Sequence, residues 1–215
     1  ASENVTVMLS VIDTELWLSA VVETEDTVGA VVSVLVVVLS DVLLSDVLEV
    51  LFSSSKVRIP DKPYVVFVIG STWENRNYPK EKFIEVAQSL NKICVVLWGN
   101  ELERKKADWM STQSNFIKVM PKLSMDDLKH VVLNSSLVIG NDTGPTHMAW
   151  ALNKPSITLF GPTPITRVCQ TPINKVLKSS SKVNHFKLDK NDFSIQEIKV
   201  NDIIKIANVL LRKNI

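Results

Sequence analysis

The chain has 215 residues, 46% hydrophobic and 22% charged, with 6 Gly, 9 Pro and 2 Cys. That length can bury a substantial core, and the composition excludes collagen, a disulfide-rich secreted scaffold and wholesale disorder. A net charge of +1 gives no global reason to expect nucleic acid as a partner, and Cys94 and Cys169 have no metal-type spacing.

Charge is unevenly spread. Residues 1–55 hold nine acidic residues and no Lys, Arg or His, a segment charge of −9; residues 56–215 carry +10. Fifteen of the first 55 residues are Val, and Pro, Gln, Cys and Tyr are also missing there. These residues read as an incomplete version of a longer N-terminal domain, and the expected division is a partial domain over 1–59 and a second domain over 60–215. The apolar run Val28–Leu39 ends at Ser40-Asp41. A spanning helix needs about 20 apolar residues, and Asp41, Asp46 and Glu49 are costly in hydrocarbon, so no transmembrane segment is expected. No basic leader or cleavage pattern marks a secretory signal.

From Pro60 the pattern is regular. Tyr64–Ile69 reads as a buried parallel strand closed by Gly70. Pro79 opens a helix with Phe83, Val86, Ala87 and Leu90 on one face. Ile93–Trp98 is a second strand, closed by Gly99. Glu101–Thr112 is a charged helix, and Phe116–Val119 a short strand. Ser124-Met-Asp-Asp127 resembles a capping box opening a helix to Leu133. Leu137–Ile139 is a strand ending in Gly140, followed by a helix over Pro145–Leu152. Ser156–Phe160 is the next strand, ending in Gly161-Pro162, and Val200–Leu211 is a terminal amphipathic helix. Trp98, Trp109 and Trp150 read as core. Strand and helix alternate, which predicts an α/β fold with a parallel sheet and right-handed crossovers.

Ligands of such sheets bind beyond the carboxyl ends of the strands. Four strand ends here begin with Gly: Gly70-Ser71-Thr72, Gly99-Asn100-Glu101, Gly140-Asn141-Asp142-Thr143-Gly144 and Gly161-Pro162-Thr163. They describe a polar pocket of hydroxyls and N–H groups. Thr143, Gly144 and the helix start after them can point N–H groups at an anion, and a diphosphate suits the helix dipole. Arg76 can neutralise a phosphate, or it is a loop cation stacked on Trp73 or Tyr78. Glu101 suits a ribose diol, or it is a first-turn acid of its helix. His147, in the first turn of its helix, either donates to the ligand or bonds to backbone. No metal site is predicted.

Taken together, Gly70-Ser-Thr, Arg76-Asn-Tyr-Pro79, Trp98-Gly-Asn-Glu101, Asn141-Asp-Thr-Gly-Pro-Thr-His147 and Leu159-Phe-Gly-Pro-Thr163 resemble the donor-binding domain of the ADP-heptose:lipopolysaccharide heptosyltransferases, glycosyltransferase family 9. The resemblance spans residues 62–212. It implies a GT-B fold of two Rossmann-like domains. It implies an inverting transfer of heptose from ADP-heptose, the donor substrate, to the Kdo/lipid A inner core, with no cofactor and no metal. Ser71, Thr72 and Arg76 then match phosphate contacts, with Arg76 also catalytic where the family usually has Lys. Glu101 matches the ribose acid and Asp142 the residue near the heptose hydroxyls. Thr143, Gly144, Pro145 and His147 line the diphosphate. In the N-terminal part, Val5–Met8 reads as a strand and Leu9–Asp13 as the following loop, with Ile12 in place of the family's Gly. Asp13 stands where the catalytic base would be, or is a turn acid. The implied partners are the nucleotide-sugar donor and a lipid A-linked acceptor. The implied place is the cytoplasmic face of the inner membrane of a Gram-negative bacterium. Two alternatives stay open: a non-catalytic nucleotide-sugar-binding module, and a GT-B transferase using another nucleotide sugar.

Overall fold

The computed structural model describes the backbone of residues 4–12, 15–23, 37–38, 57–168, 170–183 and 189–212. The chain divides into two compact units, Ala1–Ser54 and Ser55–Ile215. In the first, β1 (Asn4–Ile12) pairs antiparallel with β2 (Glu15–Glu23), which pairs with β3 (Val37–Val38). Leu9–Ile12, expected as a loop, thus lies within β1, with Leu9 opposite Leu18 and Ile12 opposite Glu15. The physical reason is local: apolar and β-branched residues continue through Ile12 with no Gly or Pro to break the strand. Asp13 lies outside the described residues.

The second unit is a doubly wound α/β sandwich. Its strands are β4 (Tyr64–Val68), β5 (Ile93–Leu97), β6 (Ile117–Val119), β7 (Leu137–Asn141), β8 (Ser156–Phe160) and β9 (Asn174–Lys178). All neighbours run parallel, in the order β6-β5-β4-β7-β8-β9. This is the strand order of dinucleotide-binding sheets, and it reverses direction between β4 and β7. The helices are α1 (Lys80–Leu90), α2 (Glu101–Gln113), α3 (Met125–Leu133), α4 (Gly144–Ala151) and α5 (Val200–Arg212).

Side-chain alternation along β4 builds both cores. Val65 and Phe67 pack with Phe83 and Val86 of α1, Met110 of α2 and Ile203 and Leu210 of α5. Tyr64, Val66 and Val68 pack with Val131 and Val132 of α3 and Ala149 of α4. Burial on both faces explains why these strands are continuous apolar runs. The capping box at Ser124 forms as expected, with reciprocal bonds between Ser124 and Asp127. Three tryptophans depart from the core assignment. Trp109 and Trp150 are exposed, and the Lys80 ammonium sits 3.9 Å from the Trp109 ring centroid. Trp98 is half-buried and donates its indole N–H to the Met120 carbonyl at 2.6 Å.

Candidate functional site

Chain reversal at the β4/β7 switch point leaves a crevice over the carboxyl ends of β4, β5 and β7. A cleft of about 420 Å³ lies there. Ser71 and Thr72 enter it from β4, Trp98 and Asn100 from β5, and Thr143 and Pro145 from β7 and the start of α4. Leu123 and Leu128 supply an apolar wall from the α3 side.

Each loop has a local reason for its shape. The Ser71 hydroxyl donates to the Trp73 carbonyl at 2.9 Å, closing a tight turn after β4. Residues Glu74–Arg76 then form a single 3-10 turn. Thr143 is the N-cap of α4, with no side-chain bond to the helix. Pro145 has no N–H, while the first-turn N–H of Gly144 has no intrahelical acceptor. A Cβ built on Gly144 would meet nothing within 4 Å, so this helix start faces open space. At Gly140 the opposite holds: a Cβ would lie 2.5 Å from that of Val68, which leaves glycine as the residue that lets β7 pass β4 there.

Behind the cleft, four residues from separate loops and the start of α4 close on one another. Arg76 Nη2 donates to Asp142 Oδ2 at 2.6 Å and also to the Asp142 carbonyl. His147 Nε2 lies 2.9 Å from Asp142 Oδ1. The Thr163 hydroxyl donates to Asp142 Oδ2 at 3.2 Å. The Asp142 side chain is 3% exposed and that of Arg76 14%. Burial pushes the Asp142 carboxyl up, but the hydrogen bond from His147, the charges of Arg76 and His147 and the Thr163 hydroxyl outweigh it, so the group sits below its ordinary value. Arg76 Nε is buried without a partner. The Arg76 guanidinium also faces the Trp73 ring at 5.8 Å. Of the two readings of Arg76, the contact with the Trp73 ring is present, and the guanidinium is part-buried and ion-paired rather than a free loop cation.

Asn141 holds this arrangement in register. Its fully buried carboxamide accepts from the Tyr78 N–H at 2.9 Å and donates to the Ile69 carbonyl at 2.8 Å. The Thr146 hydroxyl in turn donates to the Asn141 carbonyl at 2.8 Å. The ends of β4 and β7, the start of α1 and the first turn of α4 are tied through one residue.

The acids after β5 divide: Glu101 stands in the first turn of α2, one of its two expected readings, and Glu103 faces the cleft. Glu101 is 71% exposed and pairs with Arg104 at 3.7 Å on the outer side of α2; it does not line the cleft. Glu103 does. Its carboxylate accepts from the Gly99 N–H at 2.7 Å and from the Asn100 amide at 2.9 Å, while Asn100 caps the Glu103 N–H at 3.0 Å. The signal was present as Asn100-x-x-Glu103: an acid three residues after an N-cap folds back over the helix start, here toward the end of the strand. Gly70 makes room for it, since a Cβ there would stand 2.1–2.5 Å from the Glu103 carboxylate.

Of the expected site residues, Ser71, Thr72, Thr143 and Pro145 line one cleft, with Gly144 between the last two. Arg76, Asp142 and His147 form the adjoining ionic network. Among the described residues, no group of three or more His, Cys, Asp or Glu side chains could hold a metal ion.

Residues 46–196 match the family model described as glycosyltransferase family 9 (heptosyltransferase). A lipopolysaccharide heptosyltransferase 1 from Campylobacter coli is 36% identical over 174 residues, covering 76% of this chain and 51% of that protein. Escherichia coli heptosyltransferase WaaC, solved with ADP-2-deoxy-2-fluoro heptose, superposes with a TM-score of 0.57 at 22% identity, over 71% of this chain and 45% of that one. The glycosyl transferase family 9 structure from Veillonella parvula gives 0.59 at 22% identity, over 85% and 55%. The chain thus spans about half the length of each, and the structural likeness is one of fold: a Rossmann-like unit of the GT-B type.

Proposed function

The chain belongs to glycosyltransferase family 9, and from that premise we propose that it binds ADP-heptose and serves an inverting transfer of heptose to the Kdo/lipid A inner core of lipopolysaccharide. The observation that carries this reading is the Arg76–Asp142–His147 network beside the open start of α4, at the switch point of the sheet. The diphosphate takes the Gly144 N–H, Thr143 and the Ser71 and Thr72 hydroxyls. Arg76, held by Asp142 through Nη2, turns its remaining N–H groups to the β-phosphate. Glu103 receives the ribose diol, a role the cleft geometry favours over Glu101. Asp142 and His147 face the sugar. Leu123 and Leu128 offer the base an apolar wall.

Chemically, an acceptor hydroxyl oxygen attacks the anomeric carbon of the donor. The bond from that carbon to the β-phosphate oxygen breaks, and the electron pair leaves with ADP. A carboxylate takes the hydroxyl proton; Asp13 is the proposed base. Charge growing on the β-phosphate is met by Arg76 and the dipole of α4, preset donors that cost no reorganisation as the bond breaks. Arg76 and the helix start supply this positive charge from the protein itself, and metal independence is part of the proposal. No described helix is long and apolar enough to cross a membrane. Action on a lipid-linked acceptor from the cytoplasmic face of the inner membrane follows from the proposed reaction.

Calorimetric titration with ADP-heptose, ADP and UDP-sugars, followed by a transfer assay with and without EDTA, tests the reading. Preference for ADP ligands and EDTA-resistant transfer support it; preference for UDP-sugars overturns the donor assignment. A second reading has its own support: every residue that lines the cleft belongs to the second unit. ADP binding without transfer selects that reading, a donor-binding module.

A further inference from the structure

We propose that Asn75 is a positioning residue for Arg76, anchoring the phosphate-facing guanidinium to the turn at residues 189–192. The inference rests on the assignment of Arg76 to the donor β-phosphate and adds a residue with no contact to the cleft.

Asn75 is the middle residue of the 3-10 turn Glu74–Arg76, directly before Arg76. In a turn after the end of a strand a polar side chain usually points to water. Asn75 instead is 2% exposed. Its amide nitrogen donates to two backbone carbonyls, Asp189 at 3.0 Å and Asp192 at 3.2 Å, more than a hundred residues away. Two N–H donors of one carboxamide meet two acceptors, a match that no hydroxyl or carboxylate reproduces.

The turn that receives Asn75 is itself braced. Asp189 Oδ1 accepts from the Asn191 N–H at 2.8 Å, and Asp192 Oδ1 from the Ser194 N–H at 2.8 Å. The Ser181 hydroxyl donates to Asp192 Oδ2. A second link runs in parallel: the Trp73 ring has the Lys190 ammonium 5.0 Å from its centroid and the Arg76 guanidinium at 5.8 Å. The indole therefore contacts both one cation from the 189–192 turn and the cation of the site. Downstream, the Tyr78 hydroxyl donates to the Ile198 carbonyl at 2.9 Å. Arg76 thus stands in a loop pinned before it by Asn75 and after it by Tyr78, both to the same stretch, 189–198.

The guanidinium needs this anchorage. Asp142 holds Nη2, Nε has no partner, and the 3-10 turn has only two backbone bonds of its own, Arg76 N–H to Trp73 O and Asn77 N–H to Glu74 O. A preset donor loses its advantage when its support is loose.

The test uses the full chain and two probes, ADP and AMP, which differ by the β-phosphate. Wild type is expected to prefer ADP, and Arg76→Ala to remove most of that preference. Asn75→Asp, which turns carboxylate lone pairs toward two carbonyls, is expected to weaken ADP about tenfold while AMP stays within twofold. In the Arg76→Ala background the same change is expected to move ADP affinity less than twofold. Asn75→Ser, which removes the donors without adding charge, is expected to act in the same direction and serves if the Asp variant fails to fold. A purely structural role lowers ADP and AMP together, or adds fully to Arg76→Ala; either result overturns the proposal. If wild type binds ADP no better than AMP, or Arg76→Ala leaves the preference intact, the assignment of Arg76 to the β-phosphate falls, and this inference with it. If that assignment holds and both Asn75 variants keep the wild-type preference, the inference alone is wrong.

Discussion

Replacing Asp142 with Asn removes the carboxylate paired with Arg76 in a nearly dry setting. The geometry sets the size of the effect. The ion pair is 2.6 Å long, with side chains 14% and 3% exposed, so solvent does little to screen it. Breaking a buried pair from one side costs about 3–5 kcal/mol, because the surviving charge stays desolvated. Arg76 already carries one buried N–H without a partner, which leaves it few alternatives. The amide keeps some hydrogen bonding to Arg76, and the lower end, about 3 kcal/mol, is expected. For a unit of this size that is a drop in Tm of about 6–12 °C. Asp142→Asn combined with Arg76→Met removes the stranded charge, and this double variant is expected to be more stable than the single one. The pH dependence has a definite sign. The folded-state carboxyl of Asp142 lies below the ordinary carboxylate value, and its stabilisation is complete only about a unit above that ordinary value, at about pH 5. It is lost as the pH falls through the folded-state value. Urea midpoints of wild type and Asp142→Asn should therefore stay apart at pH 5–7 and converge in acid. A loss below about 1 kcal/mol at pH 7, or a double variant less stable than the single, refutes the reasoning.

Three further outcomes are expected. Glu103→Gln lowers ADP affinity about tenfold and narrows the preference for ADP over 2′-deoxy-ADP, whereas Glu101→Gln changes neither by more than about twofold; calorimetry decides between the two acids. Gly70→Ala places a methyl 2.1–2.5 Å from the Glu103 carboxylate, which must swing away. Its ADP affinity is expected to fall to that of Glu103→Gln while Tm moves by no more than a few degrees, and full affinity would count against the placement of Glu103. Ser124→Ala removes the capping box of α3 and costs about 1 kcal/mol, a Tm drop of about 2–4 °C measured by circular dichroism, with ADP affinity unchanged.

Much of the second unit was readable because its signals are local. A parallel strand covered on both faces must be apolar throughout, and Tyr64–Val68, Ile93–Leu97 and Ser156–Phe160 are buried for that reason. The reading of Leu137–Ile139 stopped two residues short, because Gly140 and Asn141 look like a turn. They remain in β7 because their neighbours are filled from elsewhere: Val68 lies against Gly140, and the Asn141 amide is satisfied by Ile69 and Tyr78. Burial of α1 follows its period, whereas Trp109 and Trp150 show that an aromatic residue in a helix is not committed to the core.

What the sequence withheld is pairing at a distance. Arg76 and Asp142 are 66 residues apart, and nothing near either one names the other. Once they meet, the functional question changes. The Arg76 guanidinium is already neutralised in part by a buried carboxylate, and that carboxylate is already committed to Arg76 and to the His147 imidazole. Donor binding therefore has to compete with, or extend, an existing network rather than fill an empty one. The proposed donor site favours extension: Asp142 holds a single guanidinium nitrogen, Nη2. The same carboxylate fixes the imidazole of His147 one helical turn away. Loss of Asp142 should consequently impair the diphosphate side and the sugar side together, whereas loss of Glu103 should impair the nucleoside side alone.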